Sequence, residues 1–325
     1  MSAANTPTTE GAPPWPTGEP DNGVPAMERQ AELRAAYEAN VAAGLAPYEG
    51  VALRTRGELL WVLRERGWSG AFPTEQGKGR PNLSRALLNA VNLSGVTLNA
   101  ANLSGADLRR ANLSGVFLRG ADLSDSYLRL ANLSGAYLRF ANLSGAFVRE
   151  AYLNGADMRS VRMDVGTVLF GATLDSRTRL ADVLWNGVPL TRLGWDDVRV
   201  IGDERIARDP RDEQGGKKDA LTRLHDFDNA VLAYRQLATA LRSQGQNEPA
   251  DRFAYRAQVL RRSVLRRQAF LRDRRQRVRF ARRLRSLTAF GGSMALDFIA
   301  GYGYKPLRSV WAYVTVILTF AAAYF

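Results

Sequence analysis

Residues 81–160 read PNLSR ALLNA VNLSG VTLNA ANLSG ADLRR ANLSG VFLRG ADLSD SYLRL ANLSG AYLRF ANLSG AFVRE AYLNG ADMRS. A large apolar residue recurs at every fifth position, from Leu83 and Leu88 through Leu123 to Val148, Leu153 and Met158, and two places before each stands a small residue, mostly Ala or Val. A period of five fits neither the 3.6-residue helix nor the two-residue strand. A short fixed repeat instead predicts a solenoid, whose units cannot bury an apolar face alone and stack to do so.

The stretch closely resembles the pentapeptide-repeat family. That resemblance implies a right-handed quadrilateral β-helix with four pentapeptides per coil, the central Leu and the small residue before it pointing inward. Coils would then lie about 4.8 Å apart, at strand spacing. Each buried Leu would contribute roughly 1.5–3 kcal/mol. After residue 160 the period slips: Met163 keeps the frame, Leu169 and Leu174 fit a shifted one, and Leu180, Trp185, Leu190, Trp195 and Val200 restore the spacing. The repeats are thus expected over 81–202, with degenerate last coils from 164.

Residues 1–26 hold six of the thirteen prolines and are expected to be disordered. Residues 27–80 are expected to form a helical cap over the open first coil. Leu33, Tyr37 and Val41 mark one helix face, and Thr55 with Glu58 has the spacing of a capping box for a second helix. Residues 203–218 read as a polar surface linker. The QGGKK at its end lacks the spacing and the hydroxyl residue of a phosphate-binding loop. Residues 219–289 read as a basic helical stalk, beginning with a pair of helices similar to one tetratricopeptide unit.

Chemistry is constrained by composition. The 325-residue chain has no Cys and one His, which excludes thiol chemistry and Cys/His zinc sites. His225, beside Asp226, reads as structural, and no nucleophile and base are spaced as an enzyme requires. The expectation is no catalytic residue, no metal and no cofactor.

The formal charge is +13, and Arg outnumbers Lys 41 to 4. Arg109, Arg119, Arg129, Arg139, Arg149 and Arg159 recur every ten residues, half a coil, so they form two columns on opposite faces. Phe117, Tyr127, Tyr137 and Phe147 sit beside them. These columns are a candidate docking surface for an acidic or nucleic-acid partner, set against the simpler reading that Arg stems shield the aromatic rings. Ser and Asn line the other faces, where stacked Asn can form ladders. Some pentapeptide-repeat proteins imitate DNA and bind type II topoisomerases, which requires an acidic rod. Here nine Arg stand against six Asp and Glu over residues 81–170, the wrong sign for that role.

The charge is densest over residues 252–285, with fourteen Arg and one acid, Asp273. Seventeen uncharged residues close the chain at 309–325, slightly short of the roughly 20 that a spanning helix needs. Basic residues before an apolar span follow the positive-inside rule. Residues 290–306 are therefore expected at the interface, 307–325 as a transmembrane helix, and Arg274, Arg275, Arg279, Arg282 and Arg283 at anionic lipid. These features resemble bacterial pentapeptide-repeat proteins whose C-terminal part is channel-like, with a second helix and a pore loop that are absent here. GYG at 301–303 precedes the span, whereas a potassium filter follows one.

The sequence thus predicts a non-enzymatic scaffold or protein-interaction module, held at a bacterial inner membrane with its repeats in the cytoplasm. One alternative is the cytosolic and first-span portion of a channel-like protein. The other is an Arg-mediated nucleic-acid binder.

Overall fold

A computed structural model describes residues 16, 21–68, 80–191, 193–195, 198–212, 215–270, 289 and 314. The repeats stack as single parallel bridges between residues twenty apart, from Asn82↔Asn102 to Asn142↔Arg162. Four five-residue sides therefore make one turn: residues 82–85, 87–90, 92–95 and 97–100 begin the first, second, third and fourth sides. Each rung bonds to the next, as Leu103 N to Asp122 O at 2.7 Å and Asp122 N to Ala101 O at 2.9 Å. The interior is made of the residues that the period selects, with Leu103, Leu113, Leu123 and Leu133 fully buried and Ala101, Ala111 and Ala131 in the narrower positions.

Side chains make the corners. Where Asn or Asp precedes the central residue, it accepts from the backbone two residues on, as Asn102 Oδ1 does from Ser104 N at 3.0 Å and Asp122 Oδ1 from Ser124 N at 3.1 Å. The next residue takes the left-handed conformation, with Gly at several corners but Ala100, Leu130 and Phe140 at others. Ladder bonds between stacked side chains are fewer than the sequence suggests: Asn132 donates to Asn112 and Asn142 to Asp122.

The N-terminal cap has α1 (Met27–Ala42) and α2 (Arg56–Glu65). Thr55 caps α2 by accepting from Glu58 N. The Glu58 carboxylate accepts from Arg54 N at 2.8 Å and from Arg29 at 3.1 and 3.2 Å, clamping α1 to α2. Leu33 is buried, but Val41 is half exposed and takes no part in the apolar face assigned to it. Besides covering the first coil, the cap adds a rung: Ala52 bridges Leu87, and Leu87 N bonds to Val51 O.

The slip after residue 160 has a local cause. Asp164 and Asp175 each begin an Asp-x-x-Thr turn that inserts residues, so bridges lengthen to Phe147↔Val168 and then Asp157↔Arg179. Thr167 and Thr178 replace the small inward residue, and each hydroxyl bonds inward, to Leu143 O at 2.9 Å and Leu153 O at 3.0 Å. Trp185, Leu190 and Trp195 are buried as the restored period requires, but Leu174 is half-buried. Past Trp195 the buried residues are Val198 and Ile201, with Val200 only partly covered, because the chain turns there into a helix.

That helix corrects the linker expected over 203–218. It is α3 (Gly202–Arg208), with Asp203, Glu204 and Ala207 buried against the last coil. Two longer helices follow, α4 (Ala220–Arg242) and α5 (Asn247–Phe270). As far as Phe270 they pack on the last coil; the rest of the expected stalk, residues 271–288, lies outside the described residues. Tyr234 and Phe253 are fully buried, with Phe253 edge-on to Trp195 at 5.9 Å. The buried Glu204 accepts from Tyr234 at 2.7 Å and Arg256 at 2.9 Å and pairs with Arg208 at 2.8 Å. Apolar residues spaced for one face of each helix thus close the C-terminal end of the rod.

The expectation of disorder over 1–26 falls mostly outside the described residues. Within them, Pro25 O accepts from Gln30 and Pro16 O from Asn112. The expected interfacial segment 290–306, the transmembrane helix 307–325 apart from Val314, and the lipid-facing Arg274, Arg275, Arg279, Arg282 and Arg283 also lie outside. Among the described residues no helix is long and apolar enough to cross a membrane.

Candidate interaction surfaces of the rod

Stacked rungs place side chains twenty apart in contact, so the candidate docking residues separate into two sides. On the second side Tyr127 and Phe147 lie face to face at 5.2 Å, and on the fourth Phe117 and Tyr137 do so at 4.7 Å. All four rings are 39–47% exposed, so stacking hides one face of each and leaves an edge for solvent. Stacked aromatic pairs contribute about 0.5–1.5 kcal/mol beyond burial.

The Arg columns differ in a way their identical spacing conceals. On the second side Arg109 forks onto Asp107, with bonds of 2.8 and 2.6 Å. Burial pushes the Asp107 carboxyl up, but the Arg109 guanidinium and amide outweigh it and hold it below the ordinary value. Arg129 and Arg149 share Glu150 at 3.4 and 3.0 Å, and Arg149 also lies over Phe170 at 4.8 Å. Every predicted Arg of this side thus has a carboxylate.

On the fourth side the carboxylate lies only at the C-terminal end, where Asp157 binds both Arg159 and Arg179. Higher up, Arg119 and Arg139 lie over the exposed Phe140 ring at 5.7 and 4.7 Å. Arg139 has no carboxylate partner among the described residues. Phe140 escaped the sequence reading because it occupies a corner slot, held by Ala100, Gly120 and Ser160 in the other coils of this side, and not one of the positions beside the central residue. A bulky residue at such a slot is the signal that could have found it, since the left-handed corner throws its side chain outward. Asp107, Glu150 and Asp157 were equally visible as residues, but their partners depend on which rungs touch.

The basic α5 is also partly engaged. Arg256 is bound to Glu204, Arg252 donates to the Trp195 carbonyl, Arg261 approaches Asp228 at 3.5 Å and Arg267 lies over Phe227 at 4.4 Å. These Arg hold α5 to the rod and to α4, which subtracts from the charge available to a nucleic acid. His225 is exposed on α4. No cluster of metal-ligating side chains occurs among the described residues.

The family model for pentapeptide repeats matches residues 86–125 and 131–164 in eight copies. Among solved structures, the chain is similar to a pentapeptide repeat protein from Nostoc Pcc 7120, at 39% identity over 30% of this chain and 87% of that one, with a TM-score of 0.27. It is similar to the pentapeptide repeat protein Rfr23 from the cyanobacterium Cyanothece 51142, at 34% identity over 33% and 69%, TM-score 0.27. A trypsin-treated form of QnrB1, a plasmid-mediated fluoroquinolone resistance protein, matches at 26% identity over 40% and 67%, TM-score 0.25. No curated protein matches the chain.

Proposed function

We propose that this chain, which belongs to the pentapeptide-repeat family, is a scaffold whose fourth side docks a protein partner and whose C-terminal region attaches it to an anionic membrane. The observation that carries the docking surface is the Phe117–Tyr137 stack next to Arg139, a cation held over Phe140 and, among the described residues, by no carboxylate. A partner presenting acidic groups beside flat apolar surface meets both requirements there. On the second side, with the same residue types, Arg109, Arg129 and Arg149 are each paired with a carboxylate. The Arg excess over the repeats opposes mimicry of a nucleic acid.

The membrane part rests on the sequence of residues 271–325, where an Arg-rich run precedes an uncharged one, the order that the positive-inside rule associates with a cytoplasmic N-terminal part. Nucleic-acid binding through α5 is the weaker reading, since several of its Arg are held by the protein itself.

A photo-crosslinking residue placed at Tyr137, in the full chain in a bacterial host, should capture a discrete partner, and Arg139→Glu should abolish the capture. The same group at Tyr127 should give none. Equal capture from both positions would remove the assignment to the fourth side. For the membrane, the full chain should sediment with anionic vesicles and stay bound through a high-salt wash; recovery in the supernatant would refute attachment.

A further inference from the structure

Each coil is joined to the next by one residue per side. Asp122 donates its N–H to Ala101 O at 2.9 Å and accepts from Leu103 N at 2.7 Å. Leu184 meets Val161 O and Met163 N in the same way, at 2.9 and 3.1 Å, and is the last bridged residue of the first side. The groups that a further residue would meet there are Val183 O and Trp185 N. Neither has a hydrogen-bond partner among the described residues.

Nearby at this end of the rod the same pair of groups is satisfied. On the fourth side Gly202 N donates to Thr178 O at 2.7 Å, and the Asp203 carboxylate accepts from Leu180 N at 2.6 Å. Val188 O and Leu190 N are both bound by the carboxamide of Gln244. The chain thus supplies substitutes for a rung from α3 and from the turn after α4, and leaves the end of the first side without one.

Space lies beside that open rung. A cavity of about 400 Å³ is lined by residues 183–187 and by the α4 face that carries Arg235, Thr239 and Ser243. Ligand cavities span roughly 300–1,000 Å³, so this one suits a few residues and not a large cofactor. Leu184, at its edge, is 41% exposed. Two lining residues hold buried polar atoms with no partner, Trp185 Nε1 and Gln236 Oε1. Arg235 is exposed and has no carboxylate within ion-pair distance among the described residues.

We propose that this open rung takes an extended, non-proline stretch of a partner protein, added to the first side as a single β-bridge, with an acidic residue beside it for Arg235. Only one residue has to pair. Its N–H meets Val183 O and its carbonyl meets Trp185 N, as Leu184 does one coil earlier. Proline lacks the N–H and is excluded at that place. Pairing to backbone supplies affinity in this mode, while the neighbouring side chains select the sequence, here through the charge of Arg235. The inference is independent of the docking proposed on the fourth side.

Because the chain has no Cys, a peptide probe can be tethered at one place. The full chain carrying Asn186→Cys, an exposed position beside the rung, is equilibrated in a thiol buffer with the acetylated and amidated peptide Cys-Thr-Val-Glu-Val, and disulfide capture is read by mass. When the backbone nitrogens of the peptide are methylated one at a time, capture should fall about tenfold at a single residue, the loss expected for one hydrogen bond. Thr239→Trp, which fills the cavity from an exposed helix position, should reduce capture to that of free cysteine, and Arg235→Glu should reverse the preference for Glu over Lys in the peptide. Equal capture of every methylated peptide, or capture that Thr239→Trp leaves unchanged, would overturn the inference. So would slow amide exchange at Trp185 in the absence of peptide: slowing that grows with protein concentration would make the occupant a second copy, and slowing at all concentrations a segment of the same chain. Crosslinking at Tyr137 reads the fourth side separately and does not depend on these results.

Discussion

Gln244, in the turn between α4 and α5, binds Leu190 as the rung of a further coil would. Its Oε1 accepts from the Leu190 amide at 2.7 Å, while its Nε2 donates to the Val188 carbonyl at 2.6 Å. A solenoid end presents unpaired backbone groups. One side-chain amide satisfies two of them, and Gly245, at φ 76°, lets the chain turn tightly enough to bring it there.

Gln244→Ala should therefore cost more than a typical surface change. Two backbone groups would lose their partners, a penalty of about 1–3 kcal/mol for each that stays buried. Urea denaturation of the full chain measures it, and an unchanged midpoint would show that the hairpin does not complete the coil.

Leu123 and Ser124 separate inside from outside. Leu123→Asp would place an unpaired carboxylate in the centre of the stack, at a cost of several kcal/mol, whereas Ser124→Asp points to solvent and should be near neutral. Equal melting temperatures for the two variants would contradict the register.

Ala100 has φ 56°, a conformation that costs an L-residue about 1–2 kcal/mol. Glycine accepts it freely but loses roughly 0.5–1 kcal/mol more entropy on folding. Ala100→Gly should thus stabilise the rod by on the order of 0.5–1 kcal/mol, read as a higher melting temperature. A decrease would mean that the Ala methyl packs better than its half-exposure suggests.

Asp203 makes stability depend on pH. Burial raises its carboxyl from 3.8 to about 6, opposed by the bond from the Leu180 amide and by Arg159 and Arg179, and reinforced by Asp157. Because the folded value lies above the unfolded one, the folded state holds the proton more tightly. This contribution is fully present below the unfolded value and is lost as pH rises through about 4 to 6. At neutral pH the ionised group is a liability of about 3 kcal/mol. Asp203→Asn should therefore melt higher than the parent at pH 7, with the difference shrinking towards pH 4. A constant difference across that range would rule out titration of Asp203. The pH difference between the two chains isolates this group from Asp107, Asp157 and Asp175, whose lowered values act in the opposite sense at lower pH.

The sequence by itself determined the rod. Its period names which residues face inward, from Leu83 to Met163, because a five-residue side allows only one central and one small inward position. It also located both helices of the N-terminal cap and the Thr55 turn, since capping is a local contact. What it left undecided is long-range. Asp-x-x-Thr turns at 164 and 175 explain the slipped frame, but they become legible only when Thr167 and Thr178 are seen bonding to carbonyls of an earlier coil. Residues 202–208 look polar enough for a linker, yet Asp203 and Glu204 are buried because Leu180, Tyr234 and Arg256 come from distant positions to satisfy them. The two Arg columns have one spacing and two fates. Whether a guanidinium is neutralised depends on which carboxylate the neighbouring rung brings within reach, and that is fixed by the stacking of coils twenty residues apart, a relation between rungs that only the tertiary structure decides.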